Sequence, residues 1–240
     1  MNIKYVILMA WYYGIKAIPR GPSYIVAALM TPLSLLFIVF IITHGVLVKF
    51  AIVGGFVITV ASVALSSAGD AAFMRLQLRM QDLYVPTRVS PSDYMLALTL
   101  SYLMFSVPGI ILYAILGVLF HVFNTEAVFV LIGVLILLVI ATSSISFIIS
   151  GTIKHVRNVW GIAAILSVAM TVLPPTFYPY NYIPRYALYI LSISPVTPAA
   201  VIAQSVFKLS PVLLLEVPVL IGETGVLFVL ARYLTRWREK

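Results

Sequence analysis

A chain of 240 residues with 62% hydrophobic and 9% charged side chains is no ordinary water-soluble domain, which is about half apolar and about a quarter charged. Its mean hydropathy of +1.12 marks an integral membrane protein, and its net charge of +8 needs no nucleic-acid partner, because cations gathered on one membrane side produce it. With no cysteine, a disulfide framework, a thiol nucleophile and a thiolate metal site are all excluded.

The first residues, MNIKYVILMAWYYGIKAIPRGP, hold an apolar run between Lys4 and Lys16 that falls short of the roughly 20 residues a helix needs to cross about 30 Å of hydrocarbon. No small-residue cleavage site follows, which argues against a cleaved signal peptide. Lys4, Lys16 and Arg20 flanking Trp11, Tyr12 and Tyr13 predict an interfacial helix within residues 1–21, ended by a turn at Pro19 and Pro22. Six apolar stretches then qualify as spans, near residues 24–46, 50–69, 92–120, 127–152, 159–178 and 210–233. Their continuity favours helices over a barrel, whose strands would alternate. The expected fold is all-α: a polytopic membrane protein with six transmembrane helices in one domain, residues 1–240. The second span is the faintest, diluted by Gly54, Gly55 and several serines and threonines, yet small residues are what helix interfaces in lipid favour.

Orientation follows from the cations. With the N-terminus inside, the inner segments hold Lys4, Lys16 and Arg20; Arg75, Arg79 and Arg88; Lys154 and Arg157; and Arg232, Arg236, Arg238 and Lys240. Only Lys49, Arg185 and Lys208 remain outside. The chain is therefore expected in the cell membrane as a multi-pass protein with both termini cytoplasmic.

The largest inner loop, residues 70–91, contains RMQDLYVPTRVSPSD, an unusually polar run for this chain. Phe73, Leu76, Met80 and Leu83 recur at helical spacing, with Arg75, Arg79 and Asp82 on another face, which predicts one short amphipathic helix ended by Pro86. Ser90, Pro91 and Asp93 form the start signal of the third span. Such a helix is either a basic interfacial element or a docking surface for a cytoplasmic partner; composition does not separate the two.

The outer segment before the last span, residues 174–208, is rich in proline and carries Phe177, Tyr178, Tyr180, Tyr182, Tyr186 and Tyr189. Its plainest reading is an aromatic belt with proline-broken turns. In the last span, Glu216 and Glu223 stand seven residues apart and share a face. An acid in a span costs about 2.5–3.5 kcal/mol on insertion scales and is a functional candidate by default. Glu223 is the deeper of the two; it is either hydrogen-bonded inside the bundle or serves cargo or gating. Glu216 is expected at the outer interface, as are His44 and His121, neither of which has a second ligand at metal spacing.

The pattern DLYVPTRVSPSDYMLAL after the second span resembles the cytoplasmic loop of ABC transporter permeases of the type-2 exporter family. There, a polar segment of the kind TLE-x-L-x-x-(T/S)-P-V-S-x-x-(D/E)-Y-x-L-G occupies the same place. Gln81, Asp82, Leu83 and Tyr84 fall on its acidic-hydrophobic part, and Arg88 to Tyr94 on its proline-valine-serine part. The outer segment LPPTFYPYNYIPRYALYILSISPVTPAAVIAQSVF is similar to the family's external segment, on which Pro184, Ala187, Ile190, Leu191, Ser192, Pro195, Val196 and Thr197 coincide with the motif. Two positions depart: Ala97 stands where a glycine is common, and Pro174-Pro175 replaces a usual glycine.

The resemblance implies two copies of this subunit bound to two cytoplasmic ATP-binding cassette ATPases. No phosphate-cradling G-x-x-x-x-G-K-[ST] pattern occurs in the chain, so ATP and magnesium would belong to the partner and no cofactor to this subunit, which is not catalytic alone. It further implies that Phe73, Arg75, Leu76, Arg79, Met80, Asp82, Leu83 and Tyr84, aided by Lys154 and Arg157, form the ATPase-coupling surface. The outer aromatics would close the path from outside on two short re-entrant helices, and their rings suit an amphiphilic cargo such as a drug, a lipid or a lipid-linked glycan. Two other classes compete. A proton-coupled secondary transporter would use Glu223, but no repeat relates the two halves of the chain. An intramembrane enzyme would need a base near Ser143, Ser144 and Ser146, and none is evident.

Overall fold

The computed structural model describes residues 2–84 and 86–235. Within them the chain is helical, with no strand. Arg236, Arg238 and Lys240, assigned above to the inner side, lie outside the described residues.

Helix α1 (Ile3–Tyr13) is capped by Asn2, whose side chain accepts from the Tyr5 amide at 3.2 Å. It does more than lie flat: Met9 and Ala10 are buried and one face packs on α6 (Pro91–Leu119). Gly14 permits the approach, since a Cβ there would stand 2.7 Å from Met104 Cβ. The opposite face exposes Ile3, Ile7, Leu8 and Trp11, and the Lys16 ammonium sits 4.8 Å over the Trp11 ring. That exposed face is apolar.

Five helical stretches among the described residues are long and apolar enough to cross a membrane. They are α2 (Pro22–Ile42), α3 (Val48–Ser66) continued by α4 (Ala68–Leu76), α6, α7 (Thr125–Thr152) and α11 (Glu216–Leu234). The fifth expected span is α8 (Val156–Val172), which has 17 residues. At about 1.5 Å per residue it reaches about 25 Å, just short of the hydrocarbon thickness. It stops before Pro174 and Pro175, so the expected continuation to residue 178 is not helical. The last span likewise starts at Glu216 instead of residue 210.

The faintest span proves the most enclosed. In an 18-residue window of Val48–Leu76, 83% of residues are buried, against 6% for the 18 residues Ile25–Ile42 of α2. Helix α3 is the hub, touched by α2, α6, α7, α8 and α10 (Val196–Val206). Its Gly54, Gly55, Ala51, Ala61 and Ala64 are buried and let those neighbours come close. In lipid the drive for such packing is dispersion between closely fitted surfaces, so the small residues that lower hydropathy also raise contact.

Candidate functional site

At the α1 end of the bundle, the expected single amphipathic helix is two helices. Helix α4 runs from Ala68 to Leu76 and α5 from Met80 to Tyr84; between them Arg79 takes a left-handed φ of 48°. The apolar spacing across residues 73–83 therefore does not describe one face. Helix α4 is an extension of the second span seated against α7 and α8, and Gly69 lies so close to the Trp160 ring that a Cβ would meet it at 2.3 Å.

The charged residues divide accordingly. Arg75 is buried, and its Nη2 donates to the Ile153 carbonyl at 2.9 Å. Ile153 ends α7, so this bond binds the inner loop before α6 to the loop carrying Lys154. A cation there also meets the negative end of the α7 dipole. Arg75 is thus a brace inside the fold, which corrects its place on an outward charged face. Arg79, Asp82 and Arg88 are exposed, as are Lys154 and Arg157. Phe73, Leu78 and Leu83 are exposed apolar side chains at the same end, while Leu76, Met80 and Tyr84 are half-buried.

Tyr84 joins α5 to its neighbours. Its ring lies 5.3 Å from Tyr5 of α1 and 5.9 Å from Tyr94 of α6. The Tyr84 hydroxyl donates to Met9 Sδ at 3.7 Å, and the Tyr13 hydroxyl to Met80 Sδ at 3.5 Å. Burial, and then the neighbouring Tyr84, hold the Tyr5 hydroxyl far above the ordinary phenol range, so it stays neutral. Below this clasp, Ser90 and Asp93 form the predicted capping box: the Asp93 amide donates to Ser90 Oγ at 3.2 Å and the Ser90 amide to Asp93 Oδ2 at 3.1 Å. The Asn2 amide donates to Asp93 Oδ1 at 3.2 Å, tying the start of α1 to the start of α6.

At the other end, residues 174–177 are buried yet non-helical. Such backbone inside a membrane protein must be covered and satisfied by protein. Gln204 of α10 does this: its Nε2 donates to the Pro175 and Tyr178 carbonyls at 2.5 and 2.9 Å. Its Oε1 accepts from the Tyr180 amide and from Ser210 Oγ, both at 3.2 Å. Gly54 completes the seat, since a Cβ on it would stand 1.8 Å from the Thr176 carbonyl oxygen. Two short helices follow, α9 (Arg185–Leu191) and α10. Helix α10 is buried from Val196 to Ser205 among α3, α7 and α11. The aromatic residues split into two sets: Phe177 and Tyr180 are buried, whereas Tyr182, Tyr186 and Tyr189 are exposed and Tyr178 is half-buried. The Tyr180 hydroxyl donates to the Pro211 carbonyl at 2.7 Å.

The acids of α11 separate as well. Glu216, at the first position of α11, is buried and accepts from Ser192 Oγ at 3.4–3.5 Å. Glu223 is half-buried, with Oε2 shielded from solvent and without a hydrogen-bond partner among the described residues. His44 and His121 both occupy left-handed turn positions, φ 49° and 51°. No group of three or more His, Cys, Asp or Glu that could hold a metal ion occurs among the described residues.

A family model described as ABC-2 type transporter matches residues 5–208, from α1 through α10. The chain belongs to this family. It is a multi-pass transmembrane permease subunit of an ABC transporter, and the family implies a partner ATP-binding cassette subunit. A search of curated proteins found no match. The match covers both motif regions of the permease and stops before α11. Sequence reading missed Gln204 and Asn2, and it read Gly54 only as a small residue at a helix interface. Gln204 stands out in hindsight as a polar residue inside an apolar helix, next to a segment whose prolines leave carbonyls without helical partners.

Proposed function

We propose that this permease is half of the membrane pore of an ATP-driven exporter for an amphiphilic substrate, a drug, a lipid or a lipid-linked glycan. Two copies would pair in the membrane, each powered by a cytoplasmic ATPase that binds ATP and magnesium. The observation that carries this reading is the surface at the α1 end. Exposed Phe73, Leu78 and Leu83 lie among exposed Arg79, Asp82, Arg88, Lys154 and Arg157, on a family member that contains no nucleotide-binding motif of its own. Apolar anchors ringed by charge are what a stable protein interface requires. The Arg75–Ile153 bond makes the two inner loops one body, so a push on α5 would reach α3, α7 and α8 together.

Affinity purification of the tagged permease from its native host in mild detergent tests the reading. It should recover an ATPase subunit carrying the nucleotide-binding motif. Leu78→Asp with Leu83→Asp should abolish that recovery while the permease remains monodisperse. Undiminished recovery by the double variant would remove α5 from the interface, and transport in vesicles without ATP would sink the exporter. The second reading, a proton-coupled carrier, rests on the shielded Glu223 oxygen, which has no hydrogen-bond partner among the described residues. Ion-driven uptake that survives Glu223→Gln would rule it out.

A further inference from the structure

We propose that the crevice between α1, α6 and α7 binds an anionic phospholipid from the leaflet at the α1 end, with one acyl chain in the crevice and the phosphate at Lys4. The crevice has a volume of about 240 Å³ and is walled by Ile3 and Val6 of α1, by α6 between Leu96 and Leu103, and by α7 between Ile136 and Ile140. Thr99 is the polar residue in this lining, and its hydroxyl is engaged with Ser143 Oγ at 3.0 Å. The surface offered to an occupant is therefore hydrocarbon.

Depth decides the kind of occupant. Counting from Pro91 at the start of α6, Leu96 to Leu103 lie about 8–18 Å along the axis at 1.5 Å per residue. On α7, Ile136 and Ile140 fall near the middle of the helix. The crevice thus runs from the level of α1 to the middle of a hydrocarbon core about 30 Å thick, the reach of one acyl chain in one leaflet. A translocated solute would need a path to the other face, and this lining goes no deeper than Leu103 and Ile136.

Charge decides the headgroup. Lys4 follows the crevice residue Ile3 and is exposed. Lys16 and Arg20 lie on the same segment, and residues 1–21 contain no acid. Asp93 is the nearest carboxylate to the start of α1, but it is buried and occupied by the Ser90 and Asn2 amides. The phosphate of an anionic lipid therefore meets Lys4, while Lys16 and Arg20 sit farther along the segment over the Trp11 and Tyr12 rings. Because Ile3 and Val6 form one wall, the bound chain would also fix the position of α1 and, through Tyr5, of α5.

The inference requires the membrane setting and not the ATPase, so its test stands apart from that of the proposed function. The full-length permease, stripped in detergent and titrated with phosphatidylglycerol or phosphatidylcholine, is read by native mass spectrometry for retained lipid. Wild type should retain one phosphatidylglycerol per chain. Ile136→Trp, which fills the crevice from its exposed rim, should lower retention at least tenfold, and Lys4→Glu should erase the preference for phosphatidylglycerol. Ile165→Trp, on the exposed face of α8, should behave as wild type. Equal retention by Ile136→Trp would overturn the site, and equal retention of the two lipids by wild type would overturn the headgroup assignment. If Ile136→Trp does not fold, Ile3→Trp with brominated-chain phosphatidylglycerol replaces it. Saturable quenching beyond that of the unsubstituted protein supports the site, and quenching merely proportional to bulk brominated lipid overturns it.

Discussion

Gln204 makes four hydrogen bonds with the two ends of one amide, and those bonds are what let residues 174–180 leave the helix without exposing backbone to lipid. Gln204→Ala would strip partners from two carbonyls and one amide, each costing about 1–3 kcal/mol if left unsatisfied while buried. A clear drop in the midpoint of thermal unfolding in detergent is expected. Gln204→Glu should be no better, because its carboxylate cannot donate to the Pro175 and Tyr178 carbonyls; a Glu variant as stable as wild type would show that the side chain serves as filler alone. Gly54→Ala should destabilise the same segment by a different route, since its methyl would fall on the Thr176 carbonyl. This level of detail was only partly legible beforehand. The Ser90–Asp93 cap reads directly from residue spacing because its partners are three residues apart, whereas the main-chain partners of Gln204 lie 24–29 residues upstream and leave no periodic trace.

At the level of elements, hydropathy located the spans because each is a long local feature, and it misread the inner loop for a physical reason. Leu76, Met80 and Leu83 keep a helical interval across Gln77, Leu78 and Arg79, so apolar spacing alone cannot reveal the left-handed Arg79 that divides α4 from α5. Nor could it reveal that Arg75 turns inward, because the Ile153 carbonyl it bonds lies 78 residues away. Two consequences are measurable. Arg75→Ala removes the brace between the inner loops, so amide exchange at residues 153–158 should accelerate; unchanged exchange would mean that α8 packing alone holds that loop. Tyr84→Ala removes two ring contacts, each worth about 0.5–1.5 kcal/mol beyond the area it buries. Limited proteolysis should then cut faster near Arg79 and Arg88, while Tyr182→Ala, at the other end of the molecule, should leave that rate unchanged.

For the whole molecule, the decisive quantity is which end faces the cytosol, because an ATPase can reach only that side. By the positive-inside rule, the cation distribution predicts α4, α5 and the loop at Lys154 inside, and α9 and the turn at Lys208 outside. The helical architecture agrees with alternating crossings, since α7 carries the chain from the Asn124 turn to Ile153 and α8 returns it toward Pro174. The absence of cysteine makes the test direct, as any introduced thiol is the sole one in the protein. Lys154→Cys and Arg185→Cys replace exposed side chains at opposite ends of the bundle, so neither should disturb packing. A membrane-impermeant maleimide should label Arg185→Cys in intact cells, and label Lys154→Cys only after permeabilisation. The reverse pattern would turn the molecule over and put the Leu78–Leu83 surface outside the cell. No cytoplasmic ATPase could then dock on it, and the exporter reading would fail together with the orientation.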